Sequence, residues 1–308
     1  MIVSDRPPFI SLLRIFVLVV FVGWLVVGQG VGMLVGMAIE GENFLLNMSD
    51  TSLLPGMKYA ILLSQGAGAA VGLIFVPWYY LKTSENRSLN GFFKSEQQWL
   101  VVTVAIAVST IALFLFISPI AEWNAGIQFP DFMRGFGDWA KRTEDFAAEL
   151  TKSITSNLTP VGFVLTFIVV AIIPAVGEEL VFRGLIQTEF QRAFRNPHAA
   201  IWVTAILFSA IHLQFMGFFP RVLLGAFMGY LYYWSGNLAM SMIAHFFNNG
   251  FQVIGLYLNQ IGIISIDLES TESAPWALVG FAAIIIVFLL YYLRNHFITR
   301  SISSGDIN

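Results

Sequence analysis

Apolar stretches long enough to cross a lipid bilayer recur along the whole chain, and they constrain the fold more than any other feature. A helix needs about 20 predominantly apolar residues to span the hydrocarbon core. Eight stretches qualify by this pattern, although the fifth and sixth are short: 11–39, 55–82, 98–120, 160–190, 199–214, 220–235, 238–258 and 275–293. The sequence therefore predicts an all-α protein, a polytopic transmembrane helical bundle of about eight spans.

The composition agrees with a bilayer environment and excludes several classes of function. Hydrophobic residues make up 57% of the chain and charged residues 11%, whereas soluble domains carry about 25% charged residues. Cysteine is absent, so disulfides, a thiolate nucleophile and a cysteine-based zinc site are excluded. The net charge of −3, without a basic helix that carries interleaved aromatics, does not indicate nucleic acid as a partner. The lipid bilayer is the expected partner.

The distribution of lysine and arginine predicts the orientation of the bundle. Most of these residues fall in alternate connections, whereas the connections between them are acidic or mixed. We therefore expect both termini to be cytoplasmic and the longest polar connection, 121–159, to lie outside. Apolar residues at helical spacing within it predict an interfacial helix. The basic set is Arg6, Arg14, Lys82, Arg87, Lys94, Arg192, Arg195, Arg294 and Arg300; the acidic connections contain Glu40, Glu42 and Asp50, or Asp267, Glu269 and Glu272.

Small residues recur at four-residue spacing in two of the predicted spans. The first set is Gly28, Gly32 and Gly36, and the second is Gly225 and Gly229. Such spacing lets helix backbones approach closely. We expect these contacts to lie within one molecule rather than between two copies.

Charged residues within the fourth span are the clearest indication of a functional site. Charges at membrane depth are costly, so they usually face a protein interior or a water-filled cavity. Glu179 and Arg183 lie four residues apart on one helical face, where they can form an ion pair. Glu178 points about 100° away and has no partner within its own helix. It is therefore the candidate for proton transfer. Pro174 removes a backbone hydrogen bond one turn earlier and opens the helix there.

Two further spans contribute buried histidines. Phe208 precedes His212 by four residues in the fifth span, and His245 precedes Asn249 by four in the seventh. The spacing places His245 and Asn249 on one face, where their donors can converge on one atom, as an oxyanion site requires. A lone histidine in a membrane helix more often serves an interhelical hydrogen bond, but three polar clusters together favour a site.

In this order the motifs Glu-Glu-x-x-x-Arg, Phe-x-x-x-His and His-x-x-x-Asn resemble the CPBP family, which comprises the CAAX proteases and bacteriocin-processing enzymes and is also called the Abi family. The resemblance covers roughly residues 160–255. It implies a CAAX-type intramembrane glutamate endopeptidase that works without a cofactor. Glu178 with His212 would activate a water molecule, and His245 and Asn249 would stabilise the oxyanion. Glu179, Arg183 and Phe208 would support the site.

The resemblance also implies a division of the chain and a setting. Residues 1–159 would hold the N-terminal spans and the outer connection, 160–258 the catalytic core, and 259–308 the last span and a cytoplasmic tail. The site would open toward the cytoplasm of a bacterial cell, in the plasma membrane. A membrane-associated peptide or a prenylated protein would be the substrate. The sequence does not indicate the oligomeric state.

Three other functions stay open at this point. Glu178, His212 and His245 are also a ligand set for a catalytic zinc ion, although the His-Glu-x-x-His helix signature is absent. A non-catalytic immunity or scaffold protein could keep the same polar core for stability. Buried carboxylates and histidines also form proton relays in transporters, but repeated halves with broken spans are not evident.

Overall fold

The fold is described from a computed structural model of residues 6–48, 50, 52, 54–265 and 272–303, with side chains up to Arg300. Asp267 and Glu269, which contributed to the predicted acidic connections, lie outside the described residues. The described residues form helices joined by turns and contain no strand. The predicted all-α fold is therefore confirmed.

Long helices account for most of the described chain. The bounds are α1 Pro8–Glu40, α2 Leu54–Ser84, α3 Trp99–Ala125, α4 Arg134–Thr155, α5 Pro160–Phe194, α6 Pro197–Ala210, α7 Phe218–Ser235, α8 Leu238–Gln260 and α9 Trp276–Ser303. Shorter elements are a helix at Asn43–Asn47 and 3₁₀ turns at Leu54–Met57, Leu89–Phe92 and Asp131–Met133. Each of the eight predicted spans coincides with one long helix, and α4 is the predicted interfacial helix.

Five helices are long and apolar enough to cross a bilayer, by length and composition: α1, α2, α3, α5 and α9. Helix α6 is apolar but has only 14 residues, which corresponds to about 21 Å. Helices α7 and α8 have 18 and 23 residues and carry the polar site residues, which lower their mean hydropathy. The helical membrane bundle is thus confirmed, with α6, α7 and α8 packed inside it rather than standing as independent apolar spans.

Three of the long helices contain four π-helical segments, in which the backbone bonds to the fifth residue rather than the fourth. These segments are Ile15–Gly28, Ala70–Phe75, Ile168–Ile172 and Leu180–Gln187, of which the last two belong to α5. In α5 they lie on either side of Ile173–Glu179, which is α-helical. All eight residues of Leu180–Gln187 are buried, so the wider turns bring polar side chains into the interior.

Side-chain contacts define the two ends of the bundle. At the terminal end, where α1 begins and α9 ends, Arg6 Nη1 donates to the carbonyl of Ser84 at 3.0 Å, and Arg300 bonds to Glu96. At the distal end, where α3 ends and α4 lies, Asn124 Nδ2 donates to the Phe215 carbonyl at 2.9 Å. Arg6 and Arg300, near the two ends of the described chain, therefore lie on one side of the bundle, as the prediction of two cytoplasmic termini requires.

The predicted glycine contacts lie within the molecule. The carbonyl of Gly68 in α2 lies 2.7 Å from the position a Cβ on Gly28 would take, and that of Ser64 lies 2.8 Å from the corresponding position at Gly32. Helix α7 approaches α6 in the same way, because a Cβ on Gly225 would stand 3.2 Å from Ala205 Cβ. These close approaches fix the helices that surround the polar residues.

Candidate active site

A cavity of about 410 Å³ gathers the polar residues that the sequence singled out. Glu178, Phe208, His212, His245 and Asn249 all line it. They come from α5, from the C-terminal end of α6 and the turn that follows, and from α8. The cavity is also lined by residues of α2, α4 and α7: Gln65, Ala69, Thr151, Ile154, Thr155, Arg221 and Leu224. Residues from the predicted N-terminal region 1–159 thus complete a cavity that the core 160–258 does not form alone.

The predicted ion pair between Glu179 and Arg183 is present directly beneath this cavity. Arg183 Nη1 lies 2.7 Å from Glu179 Oε1, and both side chains are fully buried. Arg183 also donates through Nη2 to the Gly225 carbonyl at 2.9 Å, and its guanidinium lies over the Phe208 ring at 4.5 Å. A buried charge pair is tolerated when further hydrogen bonds accompany it. These contacts tie α5 to α6 and α7.

His245 is held between the two glutamates. Its Nδ1 lies 2.8 Å from Glu179 Oε1, and its Nε2 lies 3.9 Å from Glu178 Oε2. An ionised carboxylate only accepts hydrogen bonds, so Nδ1 carries the proton in that contact. Glu179 therefore orients the imidazole as the acidic member of a catalytic triad does, and turns Nε2 toward Glu178. Spacing along the sequence did not reveal this contact, because it joins α5 to α8.

His212 is oriented by the backbone of its own segment. Its Nδ1 lies 2.7 Å from the Phe208 carbonyl, and a carbonyl can only accept, so Nδ1 is the protonated nitrogen. The neutral ring then carries its lone pair on Nε2. The Phe208 ring contacts His212 edge to face at 5.1 Å between centroids and contacts His245 at 6.0 Å. The predicted packing of Phe208 beside His212 is confirmed.

The amide of Asn249 is anchored in a way that the sequence did not predict. Its Nδ2 donates to the Val170 carbonyl at 2.9 Å, and its Oδ1 accepts from Asn248 Nδ2 at 2.8 Å. Val170 stands four residues before Pro174, which has no N–H to offer that carbonyl. Asn249 therefore gives the Val170 carbonyl, one turn before Pro174, a donor from another helix. One N–H of its amide remains for a ligand, because the group has two.

Arg221 is the residue that sequence reasoning missed most clearly. It lies in the first turn of α7, lines the cavity, and donates to the side-chain oxygen of Gln214 at 3.0 Å. A single arginine near a span end usually marks the membrane interface, so its position in the sequence does not by itself indicate a site. Gln65 and Gln252, from α2 and α8, were missed as well.

The three side chains of the zinc alternative do not stand as a preformed metal site in the structure. The described residues contain no group of three histidines or carboxylates that could hold a metal ion. The orientation of the two histidines does not itself argue against a metal, because histidine ligands commonly hold their second ring nitrogen on a carboxylate or a carbonyl, as His245 and His212 do here. Zinc stays an alternative, and we derive no step through it.

Two expectations about this site do not hold together. We expected the site to open on the cytoplasmic side and the connection 121–159 to lie outside, which places them at opposite ends. Instead, Thr151 and Thr155 of that connection line the same cavity as Glu178, so both lie at the distal end. Periodicity could not show this, because Glu178 is near the middle of α5 and the direction of its opening depends on neighbouring helices.

The fold and the cavity together define a helical integral membrane protein with a recessed carboxylate–histidine site. Residues 160–251 match the family described as type II CAAX prenyl endopeptidase Rce1-like. The predicted resemblance to the CPBP family is thereby confirmed for this segment. At family level the match supports a CAAX-type intramembrane protease.

One curated relative shares part of its sequence with the chain. The chain is 32% identical over 76 residues to the "Uncharacterized protein YpbD" of Bacillus subtilis (strain 168), which is 23% of this chain and 35% of that protein. The chain thus spans about a third of the length of that relative. No solved structure shows a significant match to the chain.

Proposed function

We propose that this protein is an intramembrane peptidase in which Glu178 activates water for attack on a peptide carbonyl. One observation carries the proposal: among the described residues that line the cavity, Glu178 is the only carboxylate, and its neighbour His245 is held in a fixed orientation. A general base needs access to water and to the scissile group, which a cavity residue has. Glu179 has access to neither water nor the scissile group, because its carboxylate is fully buried against Arg183 and His245.

The proposed reaction is hydrolysis of one peptide bond. Glu178 takes a proton from water as the water oxygen bonds to the carbonyl carbon. The carbonyl oxygen gains negative charge, for which His245 and Asn249 are the proposed donors. Donation from His245 Nε2 requires protons on both ring nitrogens, because Nδ1–H is used by Glu179. The carbon–nitrogen bond then breaks, and Glu178 returns its proton to the leaving amine. His212 assists the proton transfer in this proposal.

The proposed substrate is a peptide or protein segment that is associated with the membrane, including prenylated proteins. The cavity lies within a bundle that is itself embedded in lipid, so a substrate must reach it along or through the membrane. We propose the plasma membrane of a bacterium as the location, which the partial similarity to a Bacillus protein supports.

The test compares purified protein with its Glu178→Gln variant on membrane-anchored peptides, with products identified by mass spectrometry. Loss of a general base lowers turnover about 10²- to 10⁴-fold, and we expect a loss in this range. Glu122→Gln, the same substitution at an exposed site on α3, is the matched control and should keep full activity. Turnover by Glu178→Gln equal to the wild type would remove Glu178 from the mechanism.

The same assay separates the other functions. Activity that is lost to a chelator and restored by zinc would favour a metalloprotease. Absence of cleavage by folded wild-type protein across the peptide library, with or without zinc, would favour the immunity or scaffold function. Full cleavage after metal removal supports the proposal as stated.

A further inference from the structure

The cavity is closed toward the terminal end of the bundle. From Glu178 toward the terminal end, successive turns of α5 bring Glu179, Arg183 and Gln187 into the interior, where all three are fully buried. Arg183 and Gln187 donate to the carbonyls of Gly225 and Gly229 in α7 at 2.9 and 3.1 Å. These contacts seal α5 against α7. This packing leaves no opening between α5 and α7 toward the terminal end.

The cavity reaches the distal end beside helix α4. Thr151 and Thr155 of α4 line it, as does Arg221 in the first turn of α7. Helix α4 is held at this end by Glu144, which accepts from the Met216 backbone at 3.1 Å. Its Phe136 also contacts Phe215 edge to face.

Exposed aromatic side chains place α4 at the membrane surface. Phe132, just before the helix, is 86% exposed, and Trp139 is 40% exposed. The opposite side of α4 carries mixed charges, as in helices that lie in the plane of the interface. The opening is thus beside a helix that rests on the headgroups.

The basic residues distinguish the two ends. At the terminal end the segment before α1, the connection 85–98, the turn between α5 and α6 and the last turns of α9 all contain or adjoin lysine or arginine. At the distal end the described parts of the connections 41–53 and 261–275 contain none. The basic residues there are Lys58, Arg221 and four on α4: Arg134, Lys141, Arg142 and Lys152. Lysine and arginine in short connections favour the cytoplasmic side, which assigns the terminal end to the cytoplasm.

We propose that the site receives its peptide substrate from the non-cytoplasmic face of the membrane, through the opening beside α4. The substrate is then a segment of a membrane or secreted polypeptide at the outer leaflet, and not a cytoplasmic C-terminal tail. That the bound peptide is a substrate rests on the proposed function. The direction of the opening is a separate property of the fold.

The absence of cysteine permits a test without background labelling. Three variants each receive one cysteine: Thr151→Cys in the cavity wall, Asp138→Cys on the exposed side of α4, and Ser95→Cys at the terminal end. All three positions are exposed. Intact cells that express each variant are treated with a membrane-impermeant maleimide, and the labelled fraction is compared with that after permeabilisation.

We expect Asp138→Cys and Thr151→Cys to label in intact cells, and Ser95→Cys to label only after permeabilisation. Labelling of Ser95→Cys in intact cells, with Asp138→Cys protected, would overturn the orientation. Labelling of Asp138→Cys while Thr151→Cys stays unreactive even after permeabilisation would overturn the opening beside α4. Labelling of all three in intact cells would overturn a single orientation.

The result is independent of catalysis, because each cysteine can be placed in the Glu178→Gln background. Outward labelling by a protein that cleaves no peptide would contradict the proposed function and keep the orientation. Cleavage by a protein with the reverse labelling would keep the function and overturn the orientation.

Discussion

At the scale of single residues, the site depends on one buried carboxylate with two partners. Glu179 Oε1 lies 2.7 Å from Arg183 Nη1 and 2.8 Å from His245 Nδ1. The ion pair supports α5, and the contact with His245 orients the ring that faces Glu178. Sequence spacing predicted the first contact because it is local. The second depends on the packing of α8 against α5, which no local pattern contains.

Breaking this pair from one side should destabilise the protein strongly. Glu179→Gln leaves the fully buried guanidinium of Arg183 without its counter-charge, and such losses cost about 3–5 kcal/mol. The double variant Glu179→Gln/Arg183→Met removes both charges and should recover most of the loss. The free energy of unfolding in mixed micelles measures both effects. If the double variant loses as much unfolding free energy as the two single variants lose together, Glu179 and Arg183 are not a coupled pair.

At the scale of helices, Pro174 and Asn249 form a compensating pair between α5 and α8. Pro174 cannot donate to the Val170 carbonyl, and Asn249 Nδ2 donates to it instead. The predicted opening of α5 near Pro174 is therefore filled by a side chain of α8. This contact holds α8 beside the cavity.

Removal of the amide should be costly only while Pro174 is present. Asn249→Leu leaves the Val170 carbonyl without this donor, which costs about 1–3 kcal/mol for a buried group. In the Pro174→Ala background the restored N–H can take that carbonyl, so the same substitution should cost less. The free energies of unfolding of the wild type, the two single variants and the double variant give the coupling energy between positions 174 and 249. Pro119→Ala, a proline inside α3, is the control background and should leave the cost of Asn249→Leu unchanged.

At the scale of the whole molecule, a second charged cluster joins parts of the chain that are far apart in sequence. The Glu96 side chain is 1% exposed and lies 2.5 Å from Arg300 and 3.4 Å from His296, both on α9. It borders an open cleft of about 900 Å³ at the terminal end. This cleft is larger than the cavity at Glu178, but Glu96 is engaged by Arg300 and His296 and serves to hold α9.

The stability of this attachment should depend on pH. Burial opposes ionisation of Glu96, but the Gln98 backbone N–H and the charges of Arg300 and His296 outweigh it, so its pKa lies below the ordinary value of 4.5. A lowered pKa in the folded state stabilises the protein above the ordinary value, and this contribution is lost as the pH falls through the folded pKa.

The protection of the α9 amides against hydrogen exchange, relative to the intrinsic exchange rate at each pH, should therefore fall below about pH 4.5 in the wild type. Glu96→Gln should exchange faster than the wild type at neutral pH and should lose this pH dependence. An identical pH profile in both proteins would show that Glu96 does not hold α9. Exposed Glu149→Gln is the control and should behave as the wild type does.

The sequence by itself determined the helical membrane class, the eight helical segments and the residues Glu178, Glu179, Arg183, Phe208, His212, His245 and Asn249 as candidates. It could do so because helix formation and four-residue spacing are local, and because charges within apolar spans are rare. Only the tertiary structure decided that Glu179 orients His245, that Asn249 bonds to the Val170 carbonyl and that the cavity opens beside α4. Each of these depends on which faces of distant helices meet, and packing between helices sets those faces.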